Sequence, residues 1–145
     1  MQDQQDPIRH APLAVTWAVV AGLLVASVPA MSQTHVIEVL ADKDSRFKMP
    51  GQSRPAITVK AGEPVLLRID ARAGKTWNRD GTVHGFTLLR ARDRAKVPGW
   101  NLELKPGRQE FSLFAPTEPG EYEVVCTVIC SDDHEGMRMK FIVVP

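Results

Sequence analysis

From residue 35 onward, apolar and polar residues alternate in short runs, and most runs are closed by Gly or Pro. The runs His35–Leu40, Ala56–Lys60, Val65–Ile69, Val83–Leu89, Glu110–Phe114, Tyr122–Thr127 and Met139–Val144 are rich in β-branched and other apolar residues and read as strands. Within Val83–Leu89, His84 is in phase with Phe86 and Leu88, so the imidazole belongs to their face. Ala61-Gly62-Glu63-Pro64 and Pro116-Thr117-Glu118-Pro119-Gly120 read as turns between runs. Asn78–Thr82 reads as a loop in which Gly81 can take positive φ. No helical period of useful length follows Met31, and no internal repeat is visible. Six or seven short strands with this punctuation predict an all-β domain, a β-sandwich of Greek-key type.

The pattern before residue 33 is different. Leu13–Met31 is apolar and uncharged, and as a helix it would span about 28 Å, close to the thickness of a bilayer's hydrocarbon. One N-terminal apolar helix is therefore expected, as a membrane anchor or a secretory signal. Val28-Pro29-Ala30 resembles a cleavage site, whereas a leader with Asp3, Asp6 and no basic residue before Ile8 suits an uncleaved anchor. The chain divides into residues 1–32, the membrane segment, and residues 33–145, one domain. The expected place is the cell membrane, held by a single pass through Leu13–Met31. The domain would lie on the extracytoplasmic, periplasmic side, and cleavage would leave it soluble in the periplasm. No Cys follows the apolar run, which excludes a lipid-modified cysteine there.

Composition narrows the partners. The 145 residues carry a net charge of +1, with Lys and Arg mixed among carboxylates and no basic–aromatic interleaving, so no nucleic acid is implied. About 110 residues after the leader suffice for an independent core.

The chemistry is concentrated near the C-terminus. Cys126, Cys130, His134 and Met137 follow one another as Cys-x3-Cys-x3-His-x2-Met, and they include the only two cysteines of the chain. Thiolate, thioether and imidazole together favour copper or zinc over hard cations, and the Met favours copper. A structural zinc site takes four Cys or His ligands and has no use for Met. A Cys126–Cys130 disulfide would need a loop or helical turn, because a strand sets such residues about 13 Å apart. Cys126 falls at a strand end, Cys130 to Met137 fall on the loop before the last strand, and His84 comes from another strand. No nucleophile, general base or open substrate position accompanies the cluster, so the chain has no catalytic site of its own.

This set of residues resembles the binuclear copper (CuA) centre of the cupredoxin fold, as in subunit II of haem–copper (cytochrome c) oxidases and in nitrous oxide reductase. Val83-His84-Gly85-Phe86, Leu104-Lys105-Pro106-Gly107 and Pro119-Gly120-Glu121-Tyr122 are similar to further elements of such domains. One apolar segment before a single copper domain resembles the short, single-anchor subunit II. The resemblance covers residues 35–145. It implies a cupredoxin-like sandwich in which Cys126 and Cys130 bridge two copper ions. His84 and Met137 would complete one copper, and His134 with the main-chain carbonyl of Val128 the other. It also implies an electron-transfer subunit of the respiratory chain, taking electrons from cytochrome c or another donor and passing them to a catalytic haem–copper subunit. Three positions depart from the pattern. Val128 replaces a Glu or Gln that can help hold an interface magnesium, Ser131 replaces a Gly, and Gly81 replaces an Asp.

Two other functions use the same ligands. A copper-delivery protein for assembly of another cuproenzyme would need labile, incomplete coordination, and a mononuclear blue-copper carrier would leave one Cys spare. Asp132, Asp133 and Glu135 around His134 read either as a solvated loop or as a docking face for a basic donor. Trp77 and Trp100 read as core packing, with a place near the surface by the cluster, aiding electron entry, as the alternative, and His10 and His35 are expected to stay away from the metal.

Overall fold

The computed structural model describes residues 33–75 and 78–145; the apolar segment Leu13–Met31, His10 and Trp77 lie outside them. Among the described residues no helix is long and apolar enough to cross a membrane.

Among the described residues, nine strands form two sheets: β1 His35–Asp42, β2 Arg46–Lys48, β3 Ala56–Lys60, β4 Pro64–Ala71, β5 His84–Arg90, β6 Lys96–Leu104, β7 Gly107–Phe114, β8 Gly120–Val125 and β9 Arg138–Val144. The first sheet runs β2-β1-β4-β7 and the second β3-β9-β8-β5-β6. Two pairs are parallel, β1 with β4 and β3 with β9, because the chain visits the other sheet between their members. The remaining pairs are antiparallel.

Alternation along the strands decides which side chains enter the core. In β4, Val65, Leu67, Ile69 and Ala71 are buried while the residues between them are half-exposed. In β9, Met139, Phe141 and Val143 point inward. Strand β5 is buried through six of its seven residues. Edge-to-face ring pairs cross the interior, Phe47 on Phe86 at 5.4 Å and Trp100 on Phe141 at 5.3 Å. Trp100 is 2% exposed, and its indole N–H donates to the Phe114 carbonyl at 2.9 Å, so this tryptophan is a core residue. His35 Nδ1 meets Glu63 Oε1 at 2.9 Å and has no place in the cysteine cluster.

Two strands add to those expected from the sequence. Strand β2 has only three residues, too few to show alternation, and it is held by pairing with β1 from Leu40↔Lys48 to Asp42↔Arg46. Strand β6 contains Pro98 and Gly99, which read as turn punctuation. It is an edge strand, where a missing N–H is tolerated, and Gly99 sits at φ +79 beside an irregular register between Thr87 and Leu89. The strand expected at Tyr122–Thr127 is shifted toward the N-terminus, since β8 runs Gly120–Val125 and releases Cys126 and Thr127 into the loop.

Three chain segments meet at one end of the sandwich. Strand β5 begins there with His84, the β8–β9 connection opens there, and the β1–β2 turn closes over it through Ser45. The β8–β9 ladder continues one step past Val125↔Arg138, with the Cys126 N–H donating to the Met137 carbonyl at 3.1 Å. Residues 127–136 therefore form a loop whose two ends are tied together.

Candidate metal centre

His84, Cys126 and Cys130 bring one ligand atom each to within 4.8 Å of one another, and all three residues are buried. The two sulfurs are 3.5 Å apart and unbonded, so the cysteines are free thiols in contact. The Cys126 sulfur also lies 3.1 Å from the Val128 carbonyl oxygen, and the Gly85 N–H donates to it at 3.3 Å. The loop thus turns back so that a main-chain oxygen faces the same sulfur as the strand amide.

His84 is 1% exposed, and its Nε2 sits 2.9 Å from the Arg72 carbonyl. A carbonyl only accepts, so the proton belongs on Nε2 and the lone pair on Nδ1. Nδ1 is buried with no hydrogen-bond partner. An orphaned acceptor in the interior costs about 1–3 kcal/mol unless something occupies it. That lone pair and the two thiols are donors that would suit a soft metal ion. The residues present fit copper.

Proton affinities within the cluster are pulled apart. The Cys130 thiol is lowered first by its hydrogen bond with Cys126, against the effect of burial, and further by His84 and Ser45. Cys126 is raised by the same contact with Cys130 and by burial. Burial draws the His84 imidazole down, but Cys130 and the Arg72 carbonyl favour its protonated form and leave it raised. One sulfur is thus prepared to be a thiolate with an imidazole beside it, and a metal ion would displace the protons they share.

The remaining predicted ligands are placed differently. Met137 is fully buried and is tied to Cys126 through its carbonyl. His134 is half-buried in a single 3-10 turn, His134–Gly136, outside the three-residue cluster. Its Nδ1 lies 2.9 Å from the Ser131 carbonyl, which leaves Nε2 as its free ring nitrogen. Gly81, at φ +81, makes the tight turn before β5, with its N–H on the Asn78 carbonyl.

Two neighbours of the cluster are not apparent from the ligand spacing. Gly85 leaves room for the loop: a Cβ there would lie 2.8 Å from Thr127 Oγ1 and 2.9 Å from the Thr127 nitrogen. A glycine inside an otherwise buried strand was the available signal for such a close backbone approach. Ser45 is 3% exposed, with Oγ 3.9 Å from the Cys130 sulfur and 2.6 Å from Ser131 Oγ. It is 85 residues from Cys130 in sequence, and nothing local marks it.

No protein-family model matches the sequence, and neither does any curated protein. Solved structures do resemble the fold. Auracyanin A, a "blue" copper protein from Chloroflexus aurantiacus, is 18% identical over 77% of this chain and all of its own, with a TM-score of 0.55. Dithionite-reduced auracyanin from Roseiflexus castenholzii is 17% identical over 77% of this chain and 98% of its own, with a TM-score of 0.52. A chain of a haem–copper terminal oxidase dimer is 21% identical over 76% of this chain, with a TM-score of 0.53. This chain spans 65% of that oxidase chain. The described domain has the cupredoxin fold.

Proposed function

We propose that this protein is a copper electron carrier whose centre is built on Cys126 and Cys130 and holds two copper ions, as a CuA domain does. The observation that carries this reading is the unpartnered Nδ1 of buried His84 beside two unbonded thiols 3.5 Å apart. Cys126 and Cys130 would hold both ions, with His84 and Met137 as the further ligands of one and His134 and the Val128 carbonyl as those of the other. Copper, when bound, supplies one-electron redox chemistry. The protein's share is to hold the ligands still. Strand β5 fixes His84, and the Arg72 carbonyl fixes its ring. The tie between Cys126 and Met137 closes the loop. Burial keeps water from the sulfurs.

The test is copper loading of the domain beginning at Gln33. The expected result is two coppers per chain and an electron paramagnetic resonance signal from one electron shared by both. A second reading is one copper in a mononuclear blue site, which would take both imidazoles and one Cys and leave the other Cys spare. One copper per chain with an intense blue band would select it, and a colourless, labile Cu(I) complex would select delivery.

Under this reading the protein serves a haem–copper oxidase or related reductase, anchored by Leu13–Met31 with the domain in the periplasm. Asp132, Asp133 and Glu135 are exposed on the ligand loop, and Ile129, between the cysteines, is 65% exposed. This face suits a basic donor such as cytochrome c. Opposed charges are screened within about 8 Å at physiological salt, so reduction should slow as salt is added. A rate indifferent to salt would leave the carboxylates as solvated surface. Membrane attachment is checked by asking whether the mature chain sediments with membranes and retains its first residues.

A further inference from the structure

Ser45 is a non-glycine residue at φ +56, only 3% exposed at the end of the β1–β2 turn. Such a conformation is uncommon for residues with a side chain and points to a local reason for holding it. The turn is held by the Ser45 N–H on the Asp42 carbonyl at 3.1 Å. Asp42 in turn accepts from the Lys43 amide at 2.9 Å and from Lys48 Nζ at 2.6 Å. The next residue, Arg46, reaches the Gly136 carbonyl at 3.3 Å, so the turn grips the ligand loop at a second point.

With the Cys130 sulfur as a thiolate acceptor, the hydroxyl contacts run in one direction. The Asp133 N–H donates to Ser131 Oγ at 3.1 Å, and an amide can do nothing else. Ser131 keeps its own proton for Ser45 Oγ, 2.6 Å away. Ser45 then has its proton free for the Cys130 sulfur at 3.9 Å, and a thiolate can only accept. The chain runs from the Asp133 amide through Ser131 and Ser45 to sulfur, each donor polarising the next.

We propose that Ser45, backed by Ser131, is a positioning residue that sets the reduction potential of the copper centre through a hydrogen bond to the Cys130 sulfur. This rests on the copper reading above. A donor on a ligating sulfur withdraws electron density from it, and hydrogen bonding around a cysteine ligand is a recognised lever on copper potentials. The reduced centre carries one more negative charge, so the hydrogen bond stabilises it more and raises the potential.

The test compares Ser45→Ala, Ser131→Ala and the double variant. Ser45→Ala keeps the Cβ and the same positive φ, and it removes only the hydroxyl. Copper-loaded Ser45→Ala should have a lower potential and a shifted sulfur-to-copper charge-transfer band, at wild-type copper stoichiometry. Ser131→Ala should shift the potential the same way by less, and the double variant should match Ser45→Ala alone, because Ser131 acts through Ser45. A purely structural role would move the melting temperature and leave the potential in place. An unchanged potential in Ser45→Ala, or additive shifts in the double variant, would overturn the proposal. If Ser45→Ala fails to fold, Ser45→Gly, which accepts the same φ, replaces it. The metal-free protein supplies a separate reading through hydrogen exchange at the Asp133 amide, which should quicken in Ser131→Ala. Unaltered exchange there would show that the chain does not exist. Wild-type protein that takes up no copper would sink the electron-carrier reading and this inference with it, while the exchange result would still report on the hydroxyl chain.

Discussion

Replacing Cys130 with Ser is expected to abolish the shared-electron signal of the loaded centre and to cut bound copper to one ion per chain or none. A hydroxyl oxygen is a hard, weakly basic donor that cannot bridge two soft ions, so the loss follows from ligand chemistry alone. Cys126→Ser should do the same, since the sulfurs stand 3.5 Å apart and each is proposed to serve both ions. Met137→Leu should behave differently. The side chain is fully buried, and Leu conserves its volume, so the fold should lose less than about 1.5 kcal/mol. Both coppers should remain with an altered potential, because a thioether is a weak ligand. Copper analysis and electron paramagnetic resonance on the three variants decide the matter. Equal loss of copper in all three would contradict this ranking. A Cys130→Ser protein that keeps one copper and an intense blue band would favour a mononuclear site on Cys126.

Gly85→Ala is expected to lower stability by about 1–3 kcal/mol and to weaken copper loading at the same time. The new methyl would meet Thr127 Oγ1 at 2.8 Å and the Thr127 main-chain nitrogen at 2.9 Å, with Val128 Cγ2 at 3.3 Å. Backbone cannot step aside as a flexible side chain can. Thr127 is also tethered, its hydroxyl lying 2.8 Å from that of Thr87. The strain must therefore move the Cys126–Val128 segment, which carries one sulfur and the carbonyl 3.1 Å from it. Calorimetry should show a melting temperature lower by roughly 4–8 °C for each kcal/mol lost, and copper titration should show weaker uptake. Wild-type copper affinity in a destabilised Gly85→Ala protein would mean that the clash is relieved elsewhere.

The stretches that could be read directly were those with a strong local period. Val65–Ile69 reads as a strand and lies in β4, where Val65, Leu67 and Ile69 enter the core. Gly62 at φ +70 and Gly81 at φ +81 occupy the turns that their sequence context announced. Strands β2 and β6 were not legible for opposite reasons. The three residues Arg46–Lys48 are a strand only because β1 pairs with them, and Pro98-Gly99 disguises an edge strand as a turn. Trp100 could be assigned to the core by its size, whereas its hydrogen bond to the Phe114 carbonyl depends on how the two sheets meet.

The candidate site divides along the same line. The candidate chemistry is a property of the chain: two thiols, an imidazole and a thioether at Cys126, Cys130, His134 and Met137 are the donor types that suit a soft metal. Spacing also places Cys130 and His134 on one loop, because only one strand end and one strand start flank them. The chain alone does not say which atoms of these residues meet. That His84 presents Nδ1 depends on the Arg72 carbonyl taking Nε2, and Arg72 follows another strand of the other sheet. That Ser45 touches Cys130 depends on the β1–β2 turn closing over a loop 85 residues away. Such contacts leave no local trace, since a side chain's partner across two sheets is set by register and packing rather than by its neighbours in sequence.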